Sequence, residues 1–162
     1  MKSVTQHFKK VMKLHADCAR YYQLCAEITT EADLKELFTA LAAQRRKMLG
    51  ALSEVLPFNM ERETWLLKDV LPYLQQAWYH MKLALILNNR QQILHHSLRS
   101  EQAMLTSYEQ VATERELPEE LFRLGIHHQQ MLKENMRHIS SAPKTKFSRQ
   151  QSGGLLAREQ VA

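Results

Sequence analysis

The sequence predicts an all-α fold: four long helices forming two antiparallel hairpins, joined by a long crossover containing one or two short helices. Three observations predict it. Apolar residues recur at alternating intervals of four and three over long stretches, the period of one helix face. Only 4 Gly and 4 Pro punctuate 162 residues, too few for the many turns of an all-β fold. The turn signals fall as two short breaks on either side of one long one.

The first helix is carried by Val4, Phe8, Val11, His15, Cys18, Tyr22 and Cys25 and is expected over about 4–28. "TTEAD" then offers Thr30 as an N-cap with Asp33 three residues on, a variant of the capping box. The second helix, about 31–56, carries Leu34, Leu37, Phe38, Leu41, Met48, Leu52 and Val55. Pro57 ends it, because the residue before a proline is pushed out of helical geometry. So short a break makes the two helices an antiparallel hairpin.

"PFNMERET" (57–64) reads as a loop. The following "WLLKDVLPYLQQAWYHMKLALIL" is apolar around most of a helix circumference and is divided by Pro72, which starts the second of any two short helices. "NNRQQ" (88–92) marks the next boundary. A long helix is expected from about 90 to 115 and a turn at 115–118. A last helix runs to about 140, with Pro118 in its first turn and Glu119 and Glu120 favouring its N-terminus. The domain organisation is therefore a bundle over 1–140 and a flexible tail over 141–162. A crossover of about 33 residues is the connectivity of ferritin-like bundles rather than of simple up-down bundles.

Composition limits the function classes. Hydrophobic residues make up 44% and charged residues 24%, ordinary for a soluble globular chain. The net charge is +5, but 22 basic residues are interleaved with 17 acidic ones. The basic cluster Lys144, Lys146 and Arg149 lies in the tail, so no nucleic-acid partner is expected. "MKSVTQHFKK" lacks the apolar core of a signal peptide. No run of about 18 apolar residues occurs, so no transmembrane segment is expected and the location is read as cytoplasmic. Cys18 and Cys25 lie seven residues apart on one helix, about 10 Å at ~1.5 Å per residue. That is beyond the ~7 Å a disulfide allows, so both read as small buried hydrophobes.

Each long helix carries a polar interruption near its middle: His15; Gln44 with Arg45; Glu101; and His128. Folding about residue 30 sets His15 opposite Arg45, and folding about residue 116 sets Glu101 opposite Leu132 and His128 opposite Leu105. An unpaired charge in such a core costs several kcal/mol. The primary expectation is a hydrogen-bonded core cluster of His15, Gln44, Arg45, Glu101 and His128, with Arg45 pairing Glu101 and no cofactor. The alternative is a single iron or manganese ion on Glu101, His128 and His15. A di-metal site of the usual bundle type needs Glu-x-x-His on two helices, and none of the four long helices carries that motif. His95–His96 and His127–His128 are neighbours about 100° apart on a helix, so each pair splits between faces. Tyr21, Tyr22 and Tyr108 read as core aromatics. No Gly-rich phosphate loop, nucleophile elbow or Cys/His cluster is present, and an enzyme is not expected.

The second half resembles a bacterial ferritin-like family of four-helix-bundle proteins catalogued as a domain of unknown function. The resemblance is carried by Leu74, Trp78 and Lys82, then by Ile93, Leu94, Arg99, Glu101, Tyr108, Glu109, Leu117 and Pro118. In the first half it is carried by "YYQLCAEITTEADLKELF" (21–38) and by the pair Gln44–Arg45. It spans roughly residues 5–140 and implies a ferritin-related fold and a stress-related role, without naming an activity. Glu101 stands where the family has a carboxylate. Ala19 stands where a Glu is usual, and Met136 where a His is usual. The functional expectation is a non-catalytic protein acting through protein–protein contacts. Its partner is an unidentified protein or a second copy held through the Trp65/Trp78 crossover.

Overall fold

A computed structural model describes residues 2–56, 72–114 and 116–144. Among them it shows five helices and no strand: α1 (Lys2–Ile28), α2 (Ala32–Val55), α3 (Pro72–Ile86), α4 (Arg90–Ala112) and α5 (Glu119–Ser141). The loop expected at 57–64, Trp65 and the first part of the crossover lie outside the described residues, as does the tail from 145 onward. The described part of the crossover holds one helix, beginning at Pro72 as its fixed φ favours.

Local chemistry explains where the helices stop. The N-cap of α2 is Glu31, not Thr30, and its side chain makes no capping hydrogen bond. Glu31 and Asp33 are instead drawn to Arg90, a charge-assisted contact stronger than a neutral cap. Leu56, just before Pro57, is extended and closes α2. Between α3 and α4, Asn88 adopts a left-handed φ of 50°, a conformation Asn tolerates better than most residues. Asn89 then caps α4 by accepting a 3.2 Å hydrogen bond from the Gln92 amide. Pro118 is the N-cap of α5 rather than a first-turn residue, and Glu119 and Glu120 occupy that turn.

α1 pairs with α2 and α4 pairs with α5. Arg90 opens α4 beside Glu31 and Asp33 at the start of α2. At the other end His7 of α1 meets Glu114, just past α4, at 2.8 Å. α4 therefore runs down the bundle alongside α2, and the neighbours α1/α4 and α2/α5 are antiparallel. α3 lies along α1 and α4 on the outside.

The seams built on intervals of four and three bury two apolar clusters. One gathers Phe8, Met12, Met48, Leu52, Met104 and Leu132; the other gathers Tyr22, Phe38, Leu41, Met81, Ile93 and Ile139. Each such side chain contributes about 1.5–3 kcal/mol by leaving water. Cys18 and Cys25 are free and buried. Among the described residues no helix is long and apolar enough to cross a membrane.

Candidate functional site

Arg45 occupies a seam position of α2 between Leu41 and Met48, so helical periodicity alone drives it inward. It is fully buried, as is Glu101 on α4. The Arg45 guanidinium and the Glu101 carboxylate form a direct ion pair between Nη2 and Oε2. Arg45 Nη1 also donates to Gln44 Oε1 at 3.2 Å and lies 3.7 Å from the Met48 sulfur. Its guanidinium carbon stands 5.8 Å from the centroid of the Tyr22 ring, within cation–π range. From α5, Asn135 Nδ2 donates to Glu101 Oε1 at 3.2 Å and to Gln44 Oε1 at 2.5 Å. Gln44 Nε2 returns a 3.4 Å hydrogen bond to Asn135 Oδ1. Both oxygens of Glu101 are thus served, one by a cation and one by an amide. A buried pair needs such additional bonds to offset its desolvation.

A second polar group sits within the first apolar cluster. Tyr108 OH lies 2.6 Å from His15 Nε2 and 2.6 Å from His128 Nδ1. The hydroxyl has one proton, so one ring nitrogen must donate to it while the other accepts from it. His15 Nδ1 is buried with no partner among the described residues, and an orphaned N–H is worse tolerated than an orphaned lone pair. The proton is therefore assigned to His15 Nε2, which donates to Tyr108, and Tyr108 donates to His128 Nδ1.

Electrostatics keep this triad neutral. Burial holds His15 well below the ordinary histidine range, reinforced by the positive field of Arg45 and by His128. Burial, then His127 and Arg45, lower His128 to about 4. Burial raises the Tyr108 hydroxyl well above its usual value. It also pushes the Cys18 thiol up to about 11, despite a hydrogen bond with Arg45 that pulls the other way. The centre therefore confines its ionised pair to Arg45 and Glu101 and leaves the histidines as hydrogen-bonding groups.

The metal candidates do not converge. Glu101 is turned to Arg45 and Asn135, while His15 and His128 are turned to Tyr108 with ring centroids 6.1 Å apart. Among the described residues no group of three or more His, Cys, Asp or Glu is placed to hold a metal ion. Glu101 meets α5 at Asn135 and His128 meets α4 at Tyr108. Both pairs are symmetric about residue 118, not 116, so the α5 partners fall one turn from those expected by folding at 116. Of the adjacent histidines, His128 is buried and His127 exposed, whereas His95 and His96 are exposed and half-buried.

Sequence reasoning missed three participants. Tyr108 follows Glu101 by seven residues and Asn135 follows His128 by seven, two turns along the same face; that spacing was the available signal. The third is Arg90, whose Nη1 and Nη2 bond Glu31 and Asp33 at 2.6 Å each while Nε donates to the Pro143 carbonyl at 2.5 Å. These bonds raise its already high pKa, the Asp33 hydrogen bond contributing most. Arg90 ties the first hairpin turn to the end of α5. Between α2 and α5 a groove of about 770 Å³ runs from Arg90 past Leu37 and Leu41 to Gln44 and Asn135. The amide pair at its end separates the solvent from the buried ion pair.

Comparison with curated proteins and with solved structures finds no match. Among protein families, the one described as "Domain of unknown function (DUF2383)" matches residues 3–114, from α1 through α4. The match takes in His15, Gln44, Arg45, Glu101 and Tyr108 and stops before His128 and Asn135 on α5. It covers well over half of the 162 residues, and the chain belongs to that family, Domain of unknown function (DUF2383).

Proposed function

We propose that this protein is a non-catalytic, cytoplasmic helical bundle that acts by binding other proteins, in the stress-related setting that its resemblance to ferritin-like bundles implies. The observation that carries this reading is the closure of the bundle centre. The carboxylate of Glu101 is taken by Arg45 and Asn135, and the two buried histidines are joined through Tyr108. Groups already satisfied by one another stabilise a fold but have no spare valence for a substrate. The chemistry left for recognition is at the surface.

The second reading is a ferritin relative holding iron or manganese on Glu101, His128 and His15. It is favoured by His15 Nδ1, a buried ring nitrogen without a partner among the described residues. It requires Arg45 to leave Glu101 and both imidazoles to turn from Tyr108. Elemental analysis of protein purified without an affinity tag, before and after incubation with Fe²⁺, Mn²⁺ or Zn²⁺, separates the two. The first reading expects substoichiometric metal throughout. Stoichiometric uptake that Glu101→Gln or His128→Ala abolishes would overturn it.

A further inference from the structure

The outer face of α3 is apolar where a solvent-facing helix is normally polar. Tyr79 is 67%, Leu83 47%, Ile86 65% and Leu87 67% exposed. Leu87 continues the face because its amide still bonds the Leu83 carbonyl at 3.0 Å. Together these four side chains form an exposed apolar stripe of the kind that marks an interaction site. Trp78, the crossover aromatic expected to mediate a dimer, turns inward and packs edge-on against Tyr21 at 5.9 Å.

We propose that a second copy of this chain covers this face, the two α3 helices packing antiparallel about a twofold axis at Leu83. The proposal rests on the reading above that the protein works through protein contacts, and it names the partner. The register of the stripe carries it: Tyr79, Leu83 and Leu87 are self-complementary about Leu83, and Ile86 falls on the partner's exposed His80. Tyr79 and Leu87 lie one turn to either side of Leu83, so reversing the helix about Leu83 lays Tyr79 on the partner's Leu87 and Leu83 on the partner's Leu83. A twofold interface demands that self-complementarity, and a heterologous partner does not. Lys82 is the one charged residue between positions 75 and 87, and its long stem can carry the ammonium clear of the contact and of its symmetry mate. Exposed Gln75, Gln76 and His80 flank the stripe. Covering them brings the buried surface towards the ~800 Å² per partner of a standard stable interface.

The test is the mass of the full chain by sedimentation velocity and light scattering across roughly 1–100 μM, a span of weak to moderate dissociation constants. The expected result is a concentration-dependent shift from 19.0 kDa towards twice that mass. Leu83→Glu, which sets two carboxylates against each other on the axis, should hold the chain at monomer mass while its helical circular dichroism is retained. Phe122→Glu, at an exposed apolar residue of α5, should leave the dimer intact. Leu83→Cys with a short bis-maleimide should give a covalent dimer, since Cys18 and Cys25 are buried, and it reads the face directly if Leu83→Glu fails to fold. A monomer at every concentration, a folded Leu83→Glu dimer, or a dimer that Leu83→Cys does not cross-link would each overturn the proposal. A monomer free of metal sinks the dimer and leaves the interaction reading standing. A dimer that loads metal through His128 does the reverse.

Discussion

Glu101→Gln removes one charge from a pair whose members are both fully buried. Arg45 would keep its guanidinium with only neutral partners: the Gln44 oxygen at 3.2 Å, the Met48 sulfur at 3.7 Å, the Cys18 thiol and the Tyr22 ring face. None of these neutralises a cation, and the new amide can turn its own N–H groups towards Arg45. Breaking a buried pair in this way costs about 3–5 kcal/mol. At about 2–4 °C per kcal/mol for a chain of this size, the melting temperature should fall by roughly 6–20 °C. The assay is urea unfolding at neutral pH with an unchanged slope, so that the midpoint reports stability rather than a change in the unfolded state. The control is the double replacement Arg45→Met with Glu101→Leu, which removes both charges and should lie within about 1 kcal/mol of the wild type. Single losses under about 1 kcal/mol that simply add in the double variant would refute the reasoning, because a desolvated, coupled pair cannot be additive.

The histidine triad makes two further predictions. His15 and His128 have lowered pKa values in the fold, His128 near 4 against an ordinary 6.5. Between those values the unfolded chain binds more protons than the native one, so their contribution is complete above about pH 6.5. It is lost as pH falls towards 4, by up to about 1.4 kcal/mol per pH unit for each histidine. Urea midpoints at pH 7, 6 and 5 should fall accordingly and fall less steeply in His128→Asn; a flat profile would contradict the buried neutral state. Tyr108→Phe removes the hydroxyl joining both rings and should cost about 2–4 kcal/mol, because two buried nitrogens lose their partner. Tyr22→Phe should be within about 0.5 kcal/mol of neutral or stabilising, since the buried Tyr22 hydroxyl has no hydrogen-bond partner among the described residues. Equal effects of the two substitutions would refute the hydrogen-bond assignment.

The helices are legible in the chain because their causes are local. Seams such as Val11–His15–Cys18–Tyr22 repeat at helical spacing, and Pro57, Pro72 and Pro118 break or start helices through their own ring geometry. Predicted boundaries accordingly lie within about three residues of the observed ones. The cap at Thr30 failed because propensity saw a hydroxyl beside a helix start, whereas Glu31 and Asp33 answer to Arg90, nearly sixty residues away. Trp78 was readable as an apolar residue of the crossover but not as one facing Tyr21.

What the sequence by itself determined is the helical class, the hairpin connectivity and the presence of polar residues at inward positions. Periodicity is a property of each helix alone. Which polar group meets which was decided only in the tertiary structure. A shift of the second hairpin's fold from residue 116 to 118 moves every α5 partner by about one turn. That difference brings Asn135 to Glu101 and His128 to Tyr108. In a dry core, a displacement of that size decides whether a carboxylate finds an amide and a guanidinium or stands open to a metal.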